Sequence, residues 1–374
     1  MARKIALHLF LFVLTLVTTT LAGAEWRYGK MYLYGPEGFT WQLTISLPEV
    51  VGGLAFSLAF LGFLSVHEFG HYLTARFYKV RVTLPYYIPV WLGVTFGIGT
   101  MGAFIKIKDR IFSRKEFFDI GIAGPLAGFV VAVGLLVYGF THLPPLEYLY
   151  QIHRHYRLWG ESYALYAYGR PDDLALGPNL LFWFFERWLA DPALLPSRYE
   201  MTHYPFLFAG FLSLFFTALN LLPIGQLDGG HILYGMVGYE RFNKWSPVLF
   251  TVFIFYAGLG LLPLEVNWEE DWWLWAGYGM YLFIVFRPMF PEIRRGILVA
   301  AGVLCAQITL QLIWPEAQGY NGWLIFGLVL SRALGIFHPP SPNEAPLGRG
   351  RKILGYVALL VFLLSFSPAP FVID

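Results

Sequence analysis

The run from Val50 to Val66 carries no charged residue, yet it closes on His67-Glu68-Phe69-Gly70-His71. An uncharged stretch of that length reads as a membrane-crossing helix, and ionisable groups in such a helix are costly unless they serve a function. On a helix, positions i and i+4 share a face, with their Cβ atoms about 6 Å apart. Both imidazoles can therefore reach one metal ion, and the intervening glutamate stands beside it as a general base. The competing reading, two surface histidines at a helix end with Glu68 reaching water, does not account for a second constellation further on. That segment is Asn220-Leu-Leu-Pro223-Ile-Gly-Gln-Leu-Asp228-Gly229-Gly230-His231, and it too ends an apolar run.

Composition sets the class. Hydrophobic residues make up 57% and charged residues 13% of the chain, and mean hydropathy is +0.56. Soluble domains carry about 25% charged residues, so the chain reads as an all-α polytopic membrane protein. Its net charge of +2 and the lack of a basic tract point away from nucleic acid. The single cysteine, Cys305, rules out an intrachain disulfide and a cysteine-rich metal site.

Apolar length and flanking charge predict spans over 5–24, 48–72, 117–140, 205–222, 246–263, 271–286, 296–314, 321–337 and 353–370. The eighth is the weakest, being short and containing Arg332. In the first, Ala22-Gly23-Ala24 has the small-residue pattern of a signal-peptidase site, but the run is also long enough to span. The retained helix is the reading adopted; either places residue 25 outside. The basic residues Arg76 to Lys115 then fall on the cytoplasmic side, together with Arg241, Lys244, Arg287, Arg294, Arg295, Arg349, Arg351 and Lys352. The mixed-charge loop 141–204 falls outside. Its aromatic stretch Asn179–Trp188 reads as a helix at the membrane interface, for anchoring or for screening substrates.

His67 lies roughly 25 Å along its helix from Val50, near the cytoplasmic end. Asn220 stands in the last turn of another inward-running span, which Pro223 interrupts before Asp228. His67, His71 and Asp228 would give three protein ligands, leaving the fourth position of a zinc ion to water, the pattern of catalytic sites. Glu68 would take a proton from that water and pass it to the leaving amine. Asn220 would hydrogen-bond the substrate, or alternatively tie the broken helix end to a neighbour. His231 reads as a supporting residue, since a fourth ligand would close the site. Glu116 and Asp119 lie beside the basic loop and read as partners of Arg or Lys.

These motifs resemble the site-2 protease family of intramembrane zinc metalloproteases. His67-Glu68-Phe69-Gly70-His71 matches its first motif, and Asn220, Pro223 and Leu227-Asp228-Gly229 match its second. The stretch Phe117 to Gly128 is similar to its glycine-rich helix. The pattern is closest to the branch shared by cyanobacteria and chloroplasts. Loop 141–204 is too short for the PDZ insertion of some bacterial members. The resemblance implies a three-helix catalytic core within residues 48–245, one zinc ion per chain and membrane-spanning protein substrates in the lipid bilayer. It divides the chain into an N-terminal span and exterior segment (1–47), the core (48–245) and C-terminal helices (246–374). The basic start, without a Ser/Arg-rich leader, points to the plasma membrane of a prokaryote.

A helical substrate must unwind before it can be cut. Residues 83–108 contain Pro85, Pro89 and several glycines, and Ala103 to Lys108 alternates like a strand. This reads either as a re-entrant hairpin offering an edge to an extended substrate or as an amphipathic surface loop. Two other functions are weighed: a catalytically silent relative acting as chaperone or adaptor, and a metal transporter. The complete set His67, Glu68, His71 and Asp228 stands against the first. The scarcity of polar residues in the later spans stands against the second.

Overall fold

The computed structural model describes residues 2–35, 38–40, 44–94, 97–168 and 174–373. In chain order the helices are α1 (Ala2–Tyr28), α2 (Leu47–Phe77), α3 (Arg114–Thr141), α4 (Glu147–Ile152), α5 (Tyr163–Tyr166), α6 (Leu180–Leu189), α7 (Pro205–Leu221), α8 (Asp228–Val237), α9 (Tyr239–Ala257), α10 (Trp268–Phe286), α11 (Ile293–Ile313), α12 (Trp323–Val329) and α13 (Arg349–Ser365). The strands are β1 (Tyr34–Gly35), β2 (Gly38–Phe39), β3 (Tyr86–Pro89), β4 (Thr100–Phe104), β5 (Leu174–Leu176) and β6 (Phe371–Ile373), joined as antiparallel pairs in the orders β1-β2, β3-β4 and β5-β6. Among the described residues, α1 from Lys4, α2, α3 and α11 are long and apolar enough to cross a membrane.

The chain forms two compact units. One holds residues 1–111, 122–219 and 358–374, and the other holds 112–121 and 220–357. The C-terminus returns to the first unit because β6 pairs with β5, with Ala175 opposite Val372.

In the first unit, α2 starts where Ser46 and Glu49 cap it. The Ser46 N–H donates to Glu49 Oε2 at 2.7 Å, satisfying one orphan donor of the first turn. α1 packs on α2, and Thr19 Oγ1 and Ser57 Oγ lie 2.5 Å apart between them, a polar pair between apolar helices. Phe56, Phe60 and Phe63 project from α2 into a core shared with Leu136 and Phe140 of α3 and Leu207, Phe208 and Phe211 of α7.

The predicted hairpin is present, but its second strand is Thr100–Phe104, earlier than the alternating stretch 103–108. Pairing continues past β4 only as an isolated bridge between Val82 and Ile107. The turn reaches further down because Thr100 Oγ1 donates to Ile88 O at 2.8 Å and accepts from the Gly102 N–H at 3.0 Å. Tyr87 of β3 meets Ser65 of α2 at 2.7 Å, which holds the hairpin beside the helix that carries His67.

In the second unit, the segment 321–337 does not form one spanning helix. α12 and the π turn Leu330–Leu334 that follows it together reach about 18 Å, short of a ~30 Å hydrocarbon core. The segment nonetheless runs the length of α9. Gly319 N–H donates to Leu259 O just past the end of α9, whereas Ile336 O accepts from Ser246 and the His338 N–H donates to Asn243 near its start. Non-helical chain from Gly335 onward supplies the rest of the distance.

α6 forms where the aromatic stretch predicts an interfacial helix. Asn179 caps it by accepting the Phe182 N–H at 2.8 Å. Phe182 and Phe185 are buried, while Leu180, Trp183, Phe184 and Trp188 are exposed.

Candidate metal centre

His67, Glu68 and His71 lie in the C-terminal half of α2 and are 3%, 6% and 7% exposed, so all three are withdrawn from solvent. The Nε2 atoms of His67 and His71 are 3.1 Å apart. Two nitrogens bound to one tetrahedral zinc, with bonds of about 2.0–2.1 Å, stand about 3.3 Å apart. The observed separation suits a shared ion, and the histidines sit one turn apart as the motif's spacing requires.

The pair is shaped by α3. A Cβ built on Gly124 would enter the His71 ring, and one on Gly128 would lie 3.3 Å from His67 Cβ. A side chain at 124 would displace the imidazole, so the glycine leaves a cradle that the ring fills. The residues present therefore fit a zinc ion: two buried imidazoles converge through the same nitrogen type, on a helix otherwise free of charge from Val50 to Val66.

Asp228 belongs to the second unit, where it is the first residue of α8 and half-buried. A helix N-terminus favours a carboxylate there. The turn before it is fixed: the Gly225 N–H donates to Ser246 Oγ at 2.9 Å, and Gly225 takes φ +61°. A Cβ on Gly229 would enter the Leu221 carbonyl, so glycine allows α8 to start directly against the end of α7. Asn220 lies in the last turn of α7, partly exposed, and its side chain makes no hydrogen bond with the described residues.

His231 is held by a neighbour, as a supporting residue would be. Its Nδ1 is 2.8 Å from His338 Nε2, while His338 Nδ1 donates to Pro339 O at 2.7 Å. Burial, reinforced by the adjacent His231, pushes His338 down to about 3, so it is neutral and accepts from His231. Asp119 takes two bonds from Arg351, at 2.8 and 2.9 Å, as expected of a partner of a basic residue. Glu116 differs: it accepts the Phe112 N–H at 2.9 Å, closing the turn that leads into α3.

A second trio, His153, Glu200 and His203 in the first unit, is not among the residues that the sequence motifs pick out. The Glu200-Met-Thr-His203 spacing was the signal available, since i and i+3 face the same way on a helical turn.

The chain matches the profile of Peptidase family M50 over residues 55–183 and 195–262, which include all the motif residues above. It is similar to the probable zinc metalloprotease EGY1, chloroplastic, of Oryza sativa subsp. japonica, at 28% identity over 286 residues, 73% of this chain and 43% of that protein. The Arabidopsis thaliana protein of the same name is 27% identical over 289 residues, 72% of this chain and 44% of that one. The probable zinc metalloprotease EGY2, chloroplastic, of Oryza sativa subsp. indica is 28% identical over 245 residues, 66% of this chain and 38% of that protein. The chain thus spans less than half the length of these relatives. No solved structure matches it.

Proposed function

The chain belongs to peptidase family M50, and from that premise we propose that it is an intramembrane zinc metalloprotease of the site-2 type, cutting membrane-spanning proteins within or near their spans. The observation that carries this reading is the His67–His71 pair, buried on a membrane-length helix with its Nε2 atoms 3.1 Å apart and Glu68 beside it.

In this reading His67, His71 and Asp228 would hold one zinc ion. When bound, zinc would supply Lewis acidity toward a water and the scissile carbonyl. Glu68 takes the proton from the attacking water and returns it to the leaving amine. Asn220 donates its amide to the substrate carbonyl or backbone.

The substrate must arrive extended. β3 and β4 form a two-stranded sheet, so each has an edge outside the pair, and Met101 and Phe104 of β4 are exposed. We assign the β4 edge as the place where an unwound substrate strand pairs. Spans that contain glycine near the cut suit this, since glycine in place of alanine weakens a helix by about 1 kcal/mol.

Several apolar helices make the protein a multi-pass membrane protein. The membrane we assign is the plasma membrane of a prokaryote, on the reading of the sequence; the compared relatives carry chloroplast names. Membrane-fragment proteomics of a Glu68→Gln strain against wild type tests the function. Fragments ending inside predicted spans that vanish in the variant support it. Identical fragment sets in the two strains contradict it.

A further inference from the structure

The His67–His71 pair is not the only place in the first unit where ligand-type side chains converge. Loop 141–204 brings His153, which follows α4, to Glu200 and His203, which precede α7. His153 Nε2 and His203 Nε2 are 3.1 Å apart, and each is 3.4 Å from Glu200 Oε2. Two ligand atoms on a tetrahedral zinc are separated by about 3.3 Å. The centre of this triangle lies about 1.9 Å from each atom, just inside a zinc–ligand bond of about 2.0–2.1 Å. We propose that His153, Glu200 and His203 form a second zinc site, separate from the one at His67 and His71.

The surroundings orient each ligand. His203 donates its Nδ1–H to Trp26 O at 2.6 Å, which leaves the Nε2 lone pair facing the trio. Glu200 Oε1 accepts from Tyr156 at 2.7 Å and also from Tyr168. Its other oxygen, Oε2, is buried and makes no hydrogen bond among the described residues. A carboxylate oxygen in that position is costly to leave without a partner. It is the atom that faces both imidazoles, so a cation there would complete its coordination. The His153 ring is fixed by stacking on Tyr156 with centroids 4.7 Å apart.

All three residues border a cavity of about 290 Å³. Three protein ligands beside open space leave a fourth position for water or a small donor ligand. A zinc ion here would cross-link two parts of loop 141–204 that lie far apart in sequence. It would thereby stiffen the loop that immediately precedes α7.

The test uses the full-length protein in detergent, equilibrated with excess zinc, desalted and analysed for metal. The expected count is two zinc ions per wild-type chain, one in His203→Ala and one in the His67→Ala/His71→Ala double variant. Each count reports one centre, so either assignment can fail alone. His153 has a side chain about one-quarter exposed, so His153→Ala reads the same site if the buried His203 substitution impairs folding. Cobalt added to the double variant should give the intense visible absorption of a tetrahedral ion, and that absorption should be lost with His153→Ala. A zinc count in both His153→Ala and His203→Ala equal to that of the wild type would overturn the site and leave the trio a metal-free hydrogen-bonded cluster.

Discussion

The imidazole of His71 fills the space that a side chain on residue 124 would need. A helix of one segment thus shapes a ligand on another, and the glycine acts through a ring it never bonds to. Gly124→Ala should displace that ring, at about 1–3 kcal/mol of overpacking, and weaken zinc retention by about 10-fold or more. Gly134→Ala, on the same helix with open space around it, is the control. Zinc titration against a chelator reads both. Equal retention in the two variants would show that α3 does not set the position of His71.

Asp228→Ala should lower the zinc retained at the His67–His71 centre without unfolding the chain, because Asp228 is half-buried at a helix start rather than in a core. Elemental analysis with a circular-dichroism check of folding decides it. Undiminished zinc in the folded variant would remove Asp228 from the ligand set.

Arg351 and Asp119 form a two-pronged pair within the second unit. Both are partly shielded, with side-chain exposures of 35% and 17%, which places the pair near the upper end of exposed salt bridges, at about 1 kcal/mol. Arg351→Ala should lower the melting temperature in detergent, and the exchanged pair Asp119→Arg/Arg351→Asp should recover part of the loss. A double variant no better than the single would mean that the charges do not act on each other.

Loop 106–116 should face the cytoplasm and loop 141–204 the exterior. Single cysteines placed in each, after Cys305 is replaced, should react with an impermeant reagent from opposite sides of the membrane. Labelling of both from one side would overturn the orientation of α3.

The His67–His71 pair was legible because two imidazoles four residues apart, at the end of a charge-free run, are costly to keep there unless they share an ion. Asp228 is proposed as a ligand from the sequence, where its segment ends a second apolar run. The cradle at Gly124 was visible only as one of several helix glycines; that its missing side chain makes room for His71 depends on how two helices face each other. The strand β4 was displaced from the alternating stretch 103–108 because Thr100 binds backbone on both sides of the turn, a tertiary arrangement that alternation does not encode. Segment 321–337 combines a short helix, a π turn and non-helical chain, and hydropathy averages over all three. The trio His153, Glu200 and His203 joins residues far apart in sequence, so spacing reveals only its Glu200–His203 half.

Glu68 should work as a base beside a zinc centre that cuts inside membrane spans. The most direct measurement is cleavage of a membrane-spanning substrate by purified wild type and Glu68→Gln, with zinc content measured on the same samples. The expected result is equal zinc in both, a cut in the cytoplasmic half of the span by the wild type, and a rate lower by about 100-fold or more in the variant. Cleavage of the span by Glu68→Gln at the wild-type rate would contradict it.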